Sequence, residues 1–532
     1  VGRDLGFSLL MEDCMRGWIT GSILLICLLI IVPLNYGTEN TEEAGKLYDV
    51  AMELYYQGRY MESIETFSGL IEKFPTSKSV PYAINMLGQC YLRIGKYKEA
   101  LHQFELYLET YPDGGRVPEA EKGVQLAKEG LQPKADTPIT PSPQPPQPLP
   151  LKKLKRRVCA QIFHFNAENL EQVEKRMKDL KKAGVDTLIV RMFQTQGDRI
   201  YKFANPRYGA GVYFNSENAP VVDDLLGNLT ELAHRNHLDI FAWITTRYSN
   251  YDSNGPLEYR CQSYNFETKR IEPAKGVTLF HPEVLKRLEG LFRDLGRYPI
   301  DGILFQDDLI LRHNEDFNPE AAKAFLKEFG YSPHPDLFYI DPYRSESGKY
   351  YVKAYTERFW SWADWKNRWL MNVAQQLMAA ARTSNPKLQF AINLYYETIL
   401  NPSNAVAWFS QNLERALEKE FDYYAVMAYH RQTMRELNLE QQAAVRLMAD
   451  VAEKAVKTVG DPSRVLMKIQ ILDWKNYEVL PAKEIDEFLA VVLAHGGVSL
   501  AFVPYVDQFP FHLLKGRWNS SQPDQGPEKP SP

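Results

Sequence analysis

A chain of 532 residues, 45% hydrophobic and 24% charged, is too apolar to be disordered and too long for one compact core, so two or more domains are expected. A net charge of −5 excludes nucleic acid as the main partner, while an aromatic content of 12% supplies tyrosine and tryptophan for a sugar-binding surface as well as for cores. Cys14, Cys27, Cys90, Cys159 and Cys261 show no CxxC or Cys/His spacing, so neither a metal site nor a disulfide framework is expected, and no cofactor is called for.

The first 40 residues carry an uncharged, largely apolar run from Trp18 to Leu34, preceded by Met15-Arg16 as a start with a short positive n-region. This reads as an export signal. At 17 residues the run fits a cleaved signal peptide, and it also fits a retained membrane anchor, for which about 20 residues are needed. Arg16 on one side and Glu39, Glu42 and Glu43 on the other place the remainder outside the cytoplasm.

Residues 41–130 contain an internal repeat: Gly58-Arg59-Tyr60 recurs as Gly95-Lys96-Tyr97, Phe67 as Phe104, and Phe74-Pro75 as Tyr111-Pro112, each at an offset of 37 residues. The order of glycine turn, aromatic, amphipathic helix and aromatic-proline stop is the helix-turn-helix logic of tetratricopeptide repeats, whose period is about 34 residues. An all-α module of this kind is expected, with the helix after Pro118 as its cap, and docking of a protein partner is its expected role. Eight prolines between Gln132 and Pro150 mark a linker over 131–157, and its basic end, Lys152 to Arg157, reads as a solvated domain edge.

From residue 158 to about 510 the pattern alternates. Apolar, β-rich runs at Val158–Phe163, Thr187–Met192, Asp239–Ile244, Gly302–Phe305, Leu388–Leu394, Tyr423–Ala428, Val465–Ile471 and Val498–Val503 are separated by helical periodicity. Eight such units in one domain predict an α/β fold, a (β/α)8 TIM-type barrel, and residues 511–532 read as a disordered tail. In the longest insertion, Phe359-Trp360-Ser361-Trp362-Ala363-Asp364-Trp365 reads as a helix whose tryptophans serve packing.

The active site of such a barrel forms where the strands end. The fourth strand ends in Asp307-Asp308, and one of the two is expected to be a catalytic acid, since glycoside hydrolysis needs a carboxyl to protonate the leaving oxygen. Neighbouring residues of a strand face opposite ways, so the second acid is left to fix a loop or cap a helix. Other strand ends supply sugar-binding candidates: His164, Arg191, Trp243, Arg247, Asn393, Tyr395, Tyr429, Gln470, Asp473, Trp474 and Tyr505.

Residues 303–308 (Ile-Leu-Phe-Gln-Asp-Asp), 393–395 (Asn-Leu-Tyr), 407–413 (Ala-Trp-Phe-Ser-Gln-Asn-Leu), 422–428 (Asp-Tyr-Tyr-Ala-Val-Met-Ala) and 472–474 (Leu-Asp-Trp) form an ordered set. In that order they resemble the C-terminal domain of the periplasmic poly-β-1,6-N-acetylglucosamine deacetylase and hydrolase family used in biofilm export. The resemblance implies an exported, periplasmic domain that binds and cleaves partly de-N-acetylated polyglucosamine, an amino-sugar polysaccharide, with the acid at Asp307 or Asp308 central. Two positions depart: the family has a histidine where this chain has Gln306, and an acid near the place of Lys468. Asp473, Glu397 or Asp507 would then have to serve as second carboxylate, or the barrel binds without cutting as a scaffold of a secretion complex. The family's deacetylase domain needs an Asp with a His-x-x-x-His pair; no such pair occurs here, so deacetylation is not expected.

Overall fold

The computed structural model describes residues 39–508 other than 57–58, 115, 132–153, 249–254, 346–347, 349 and 495. The apolar run at 18–34, the proline-rich segment and the tail at 511–532 lie outside the described residues. Among the described residues no helix is long and apolar enough to cross a membrane.

Five helices come first: α1 (Glu39–Tyr56), α2 (Tyr60–Lys73), α3 (Val80–Arg93), α4 (Tyr97–Thr110) and α5 (Val117–Leu131). The sequence repeat is a repeat of backbone. Helices α2 and α4 are both 14 residues long and close on Phe74 and Tyr111 at φ/ψ of −130°/56° and −132°/60°. Phe67 and Phe104, one repeat apart, are both fully buried. The helices can close on Phe104 because Gly88 and Gly123 face its ring, where a Cβ would stand 2.6 and 2.5 Å away.

The second unit is a closed barrel of eight parallel strands: β1 (Val158–Ile162), β2 (Thr187–Arg191), β3 (Asp239–Ile244), β4 (Gly302–Phe305), β5 (Gln389–Tyr395), β6 (Tyr423–Ala428), β7 (Val465–Gln470) and β8 (Ser499–Val503). Each strand lies beside its sequence neighbours and β8 closes on β1, which is the expected (β/α)8 fold. Its floor corrects the reading of the basic cluster. Arg157 is no solvated edge residue but is 4% exposed inside the barrel. It donates to the Tyr423 hydroxyl at 2.9 Å, Thr187 at 2.6 Å, Asp239 at 2.7 Å and Gln389 at 2.6 Å. One guanidinium thus ties β2, β3, β5 and β6, and it stacks 4.9 Å over Phe241.

Long insertions build up the C-terminal face. Hairpins Arg260–Asn265/Arg270–Val277 and Tyr339–Arg344/Tyr350–Tyr355, absent from the sequence reading, follow β3 and β4. After the second comes the helix Glu357–Arg382, in which Trp362 and Trp365 are 0% and 1% exposed; these tryptophans are core.

The helical module packs on the barrel near the start of that helix. Arg116 is buried, paired with Glu119, and donates to the Glu357 carbonyl at 3.4 Å. Burial pushes the Asp49 carboxyl up to about 7, against a hydrogen bond from Trp360, and pushes Glu357 up to about 8, against the opposing pull of Arg116. An acid whose folded value is raised binds more protons folded than unfolded, so its contribution to stability falls as pH rises from the ordinary carboxylate range through 7 to 8. The double substitution Asp49→Asn/Glu357→Gln is therefore expected to raise the melting temperature at pH 9 by on the order of 2 °C or more, and to leave it nearly unchanged at pH 5. Equal shifts at both pH values would show that these groups do not carry their raised values.

Candidate active site

The inward rows of the barrel follow from strand parity. Arg157, Phe241 and Tyr423 mark the floor, so Gln161, Trp243, Asn393, Lys468 and their successors two residues on climb toward the C-terminal mouth. The contact of Lys468 Nζ on β7 with Asn393 Oδ1 on β5, 2.9 Å, crosses beneath β6 and confirms the facing. Along these rows, among the described residues, several buried polar atoms have no hydrogen-bond partner: Gln161 Oε1, Arg191 Nε, Trp243 Nε1, Gln306 Oε1, the Tyr395 hydroxyl and Gln470 Oε1. Buried polar groups are nearly always paired, and a convergent set from several strands marks a place built to meet polar ligand atoms.

Asp307 stands at this mouth, partly open to solvent. Burial pushes its carboxyl above the usual range; Lys468 pulls it back and Asp308 adds to the rise. Its charge is in turn felt by the phenols of Tyr395 and Tyr429, both held far above their ordinary value chiefly by burial. Tyr395 lies flat on Phe409, rings 4.0 Å apart and 1° from parallel, and Tyr429 meets Trp474 edge-on at 5.6 Å. A carboxyl whose pKa is raised by burial, beside aromatic platforms, suits proton donation to a glycosidic oxygen.

The two adjacent acids have different environments. Asp308 is fully buried and accepts from the backbone N–H of Thr246 at 3.0 Å and of Arg247 and Tyr248 at 2.7 Å each. It accepts as well from the hydroxyls of Thr245 and Thr246. It clamps the end of β3 and its following turn, the loop-fixing role open to one member of the pair.

That clamp also corrects Arg247. Expected at the rim, it is 0% exposed, because the turn wrapped on Asp308 sends its side chain beneath the mouth to Glu315 at 3.2 Å, Cys261 and the Ile310 carbonyl. Arg247→Met would leave the Glu315 carboxylate buried without its cation, so a stability loss of about 3–5 kcal/mol is expected in denaturant unfolding. Weakened sugar binding with unchanged stability would instead return Arg247 to the rim.

The remaining candidates are spread around the mouth. His164 is exposed. Arg191 pairs with Asp198 at 2.8 Å and stacks 4.5 Å over Phe193. Trp243 packs on Phe163 at 4.9 Å, and Tyr505 donates to Asp507 at 3.4 Å. Asp473 is taken up by Arg435 at 2.8 Å and Asp507 by Asn166 at 3.0 Å and Arg176 at 3.3 Å. Glu397 is buried beside Tyr396 and Glu436, which with its burial pushes it up to about 8. The largest charge effects on Asp307 come from Lys468, Asp308 and Lys275, and not from these three acids. Among the described residues no group of three His, Cys, Asp or Glu is placed to hold a metal ion.

Sequence reasoning missed Gln161 and Lys275. A glutamine within the apolar run Val158–Ile162, on the inward parity of Arg157, was the available signal for the first. Lys275 sits on a mostly exposed hairpin strand, 4.8 Å over the Tyr248 ring, and nothing local marks it.

A family model described as hypothetical glycosyl hydrolase family 13 matches residues 168–503, and a tetratricopeptide repeat model matches residues 83–114. The poly-β-1,6-N-acetyl-D-glucosamine N-deacetylases of Escherichia coli strains K12 and O157:H7 are each 24% identical over 375 residues, covering 66% of this chain and 50% of theirs. The chain thus spans about half the length of these curated relatives. The glycoside hydrolase domain of PgaB (BpsB) from Bordetella bronchiseptica has a similar fold, with a TM-score of 0.52 and 21% identity over 66% of this chain and 94% of that domain.

Proposed function

Because this chain belongs to the hypothetical glycosyl hydrolase family 13, we propose that it is an exported, periplasmic enzyme that binds and hydrolyses partly de-N-acetylated poly-β-1,6-N-acetylglucosamine or a related amino-sugar polymer. The observation that carries this reading is Asp307, a carboxyl raised by burial at a barrel mouth lined by unpaired polar atoms and aromatic rings. Asp307 gives its proton to the glycosidic oxygen as the bond from that oxygen to the anomeric carbon breaks. Lys468 stands on β7 where the resemblance implies a second acid, so the electron-rich partner is the substrate's own N-acetyl oxygen, which attacks the anomeric carbon as the leaving group departs. Asp307, now a carboxylate, takes the proton of the water that resolves the intermediate. Asp308 holds the turn after β3 in place.

Lys468 also favours a second reading, in which the barrel binds polymer without cutting it and serves as a scaffold subunit of a secretion machine. In both, the tetratricopeptide module docks a protein partner through residues 41–130, and the apolar run at 18–34 directs export or retention at the inner membrane. Incubating the purified full chain with partly de-N-acetylated polymer separates the two. Release of oligosaccharides, read by mass spectrometry, supports the enzyme; stable binding with no release at any time supports the scaffold; neither binding nor release rejects both.

A further inference from the structure

Lys468 is an inward cation whose chemistry the reaction above leaves unused. It is 3% exposed, on β7, and burial brings its ammonium down to about 8 against the opposing effect of Asp307. An ammonium has three donors. One goes to Asn393 Oδ1 at 2.9 Å, whose own amide is fixed by the Phe305 carbonyl at 2.9 Å, so the acceptor is held in place from β4. The ammonium lies 5.9 Å from the centre of the Tyr429 ring, and Asp307 is the charge that acts on it. A buried cation with donors to spare, facing the proton donor of the site, is costly unless a ligand meets it.

We propose that Lys468 is a specificity residue: the sugar unit seated over Asp307 presents an oxygen acceptor to the ammonium, and a unit carrying a free 2-ammonium group is rejected there. This rests on the reading of the mouth as the sugar site. The polymer as a whole can be cationic, because the discrimination is confined to one subsite. Two sources supply the acceptor, the carbonyl of an N-acyl group or a carboxylate, and both are oxygen atoms without positive charge. A free amine at the same place sets two like charges against each other at low dielectric, which is repulsive where the acceptor is attractive.

The test uses the full chain with three β-1,6-linked glucosamine hexamers, fully N-acetylated, fully N-succinylated and fully de-N-acetylated, with binding read by calorimetry. The acetylated hexamer is expected to bind at least roughly tenfold more tightly than the free-amine hexamer, a factor corresponding to about 1.4 kcal/mol. If the succinylated form binds tighter still, the acceptor is a carboxylate; if it binds like the acetylated form or more weakly, the acceptor is the acyl carbonyl. Lys468→Met is expected to bring the acetylated and free-amine hexamers within about twofold of each other, whereas Lys468→Arg retains the preference. Free-amine binding equal to acetylated binding in the unsubstituted protein overturns the proposal while leaving the site itself standing. Failure of all three hexamers to bind overturns the site, and this proposal with it. A preference unchanged in a folded Lys468→Met protein also overturns it.

Discussion

Asp307→Asn is expected to lower the rate of oligosaccharide release by about 10³-fold while leaving polymer affinity within about twofold, the pattern of a lost general acid. Asparagine keeps the size of the side chain and removes only the transferable proton, and its amide oxygen can still accept the hydrogen bond that the carboxyl takes from its own backbone N–H. The pH dependence has a definite sign. The donor must be protonated, and burial raises its pKa, so activity should decline on the alkaline side at an apparent pKa above the ordinary carboxylate range. Time courses across pH on one polymer preparation read both effects. Release persisting at more than about a tenth of the unsubstituted rate would remove Asp307 from the donor role.

A different outcome is expected one residue on. Asp308→Ala removes the acceptor for three consecutive backbone N–H groups, those of Thr246, Arg247 and Tyr248, and for two threonine hydroxyls, all in a fully buried place. Each orphaned buried donor costs about 1–3 kcal/mol, so a loss of about 3 kcal/mol or more in denaturant unfolding is expected. Amide exchange of residues 245–248 should speed up, since that turn owes its shape to the carboxylate. Activity falls as well, because the turn places Tyr248 beside the mouth. A variant as stable as the unsubstituted protein but inactive would make Asp308 the reacting acid in place of Asp307.

The contrast between these neighbours shows where a sequence stops being legible. All eight barrel strands could be read because each is a short, uninterrupted buried run, and their observed bounds lie within a residue of the expected ones. The paired acids at the end of β4 could be read because charge following a buried strand has few bland explanations. Which acid is free could not, since that depends on a turn more than fifty residues earlier folding around Asp308. Arg247 misleads for the same reason: counting from the strand end puts it at the rim, and its turn redirects it to Glu315, 68 positions on. The basic cluster misled in the other direction, because a run of charge gives no sign that Arg157 turns inward to tie four strands. The helical repeat was legible because its turn and stop residues recur at one offset, and the matching end angles of α2 and α4 are the physical form of that recurrence. The hairpins after β3 and β4 were not, because one strand of each, Arg270–Val277 and Tyr339–Arg344, is largely exposed and no continuous buried run marks the pair.

A crystal structure of the full-length Asp307→Asn protein with a partly de-N-acetylated β-1,6-glucosamine hexamer tests the central claim most directly. The sugar chain should cross the barrel mouth with a ring near Tyr395 or Trp474 and a glycosidic oxygen within about 3.2 Å of the side chain at position 307. A hexamer seated elsewhere, for instance in the cavity of about 340 Å³ lined by Gln194, Asp198, Arg207 and Tyr208 in the insertion after β2, with the mouth unoccupied, would contradict it.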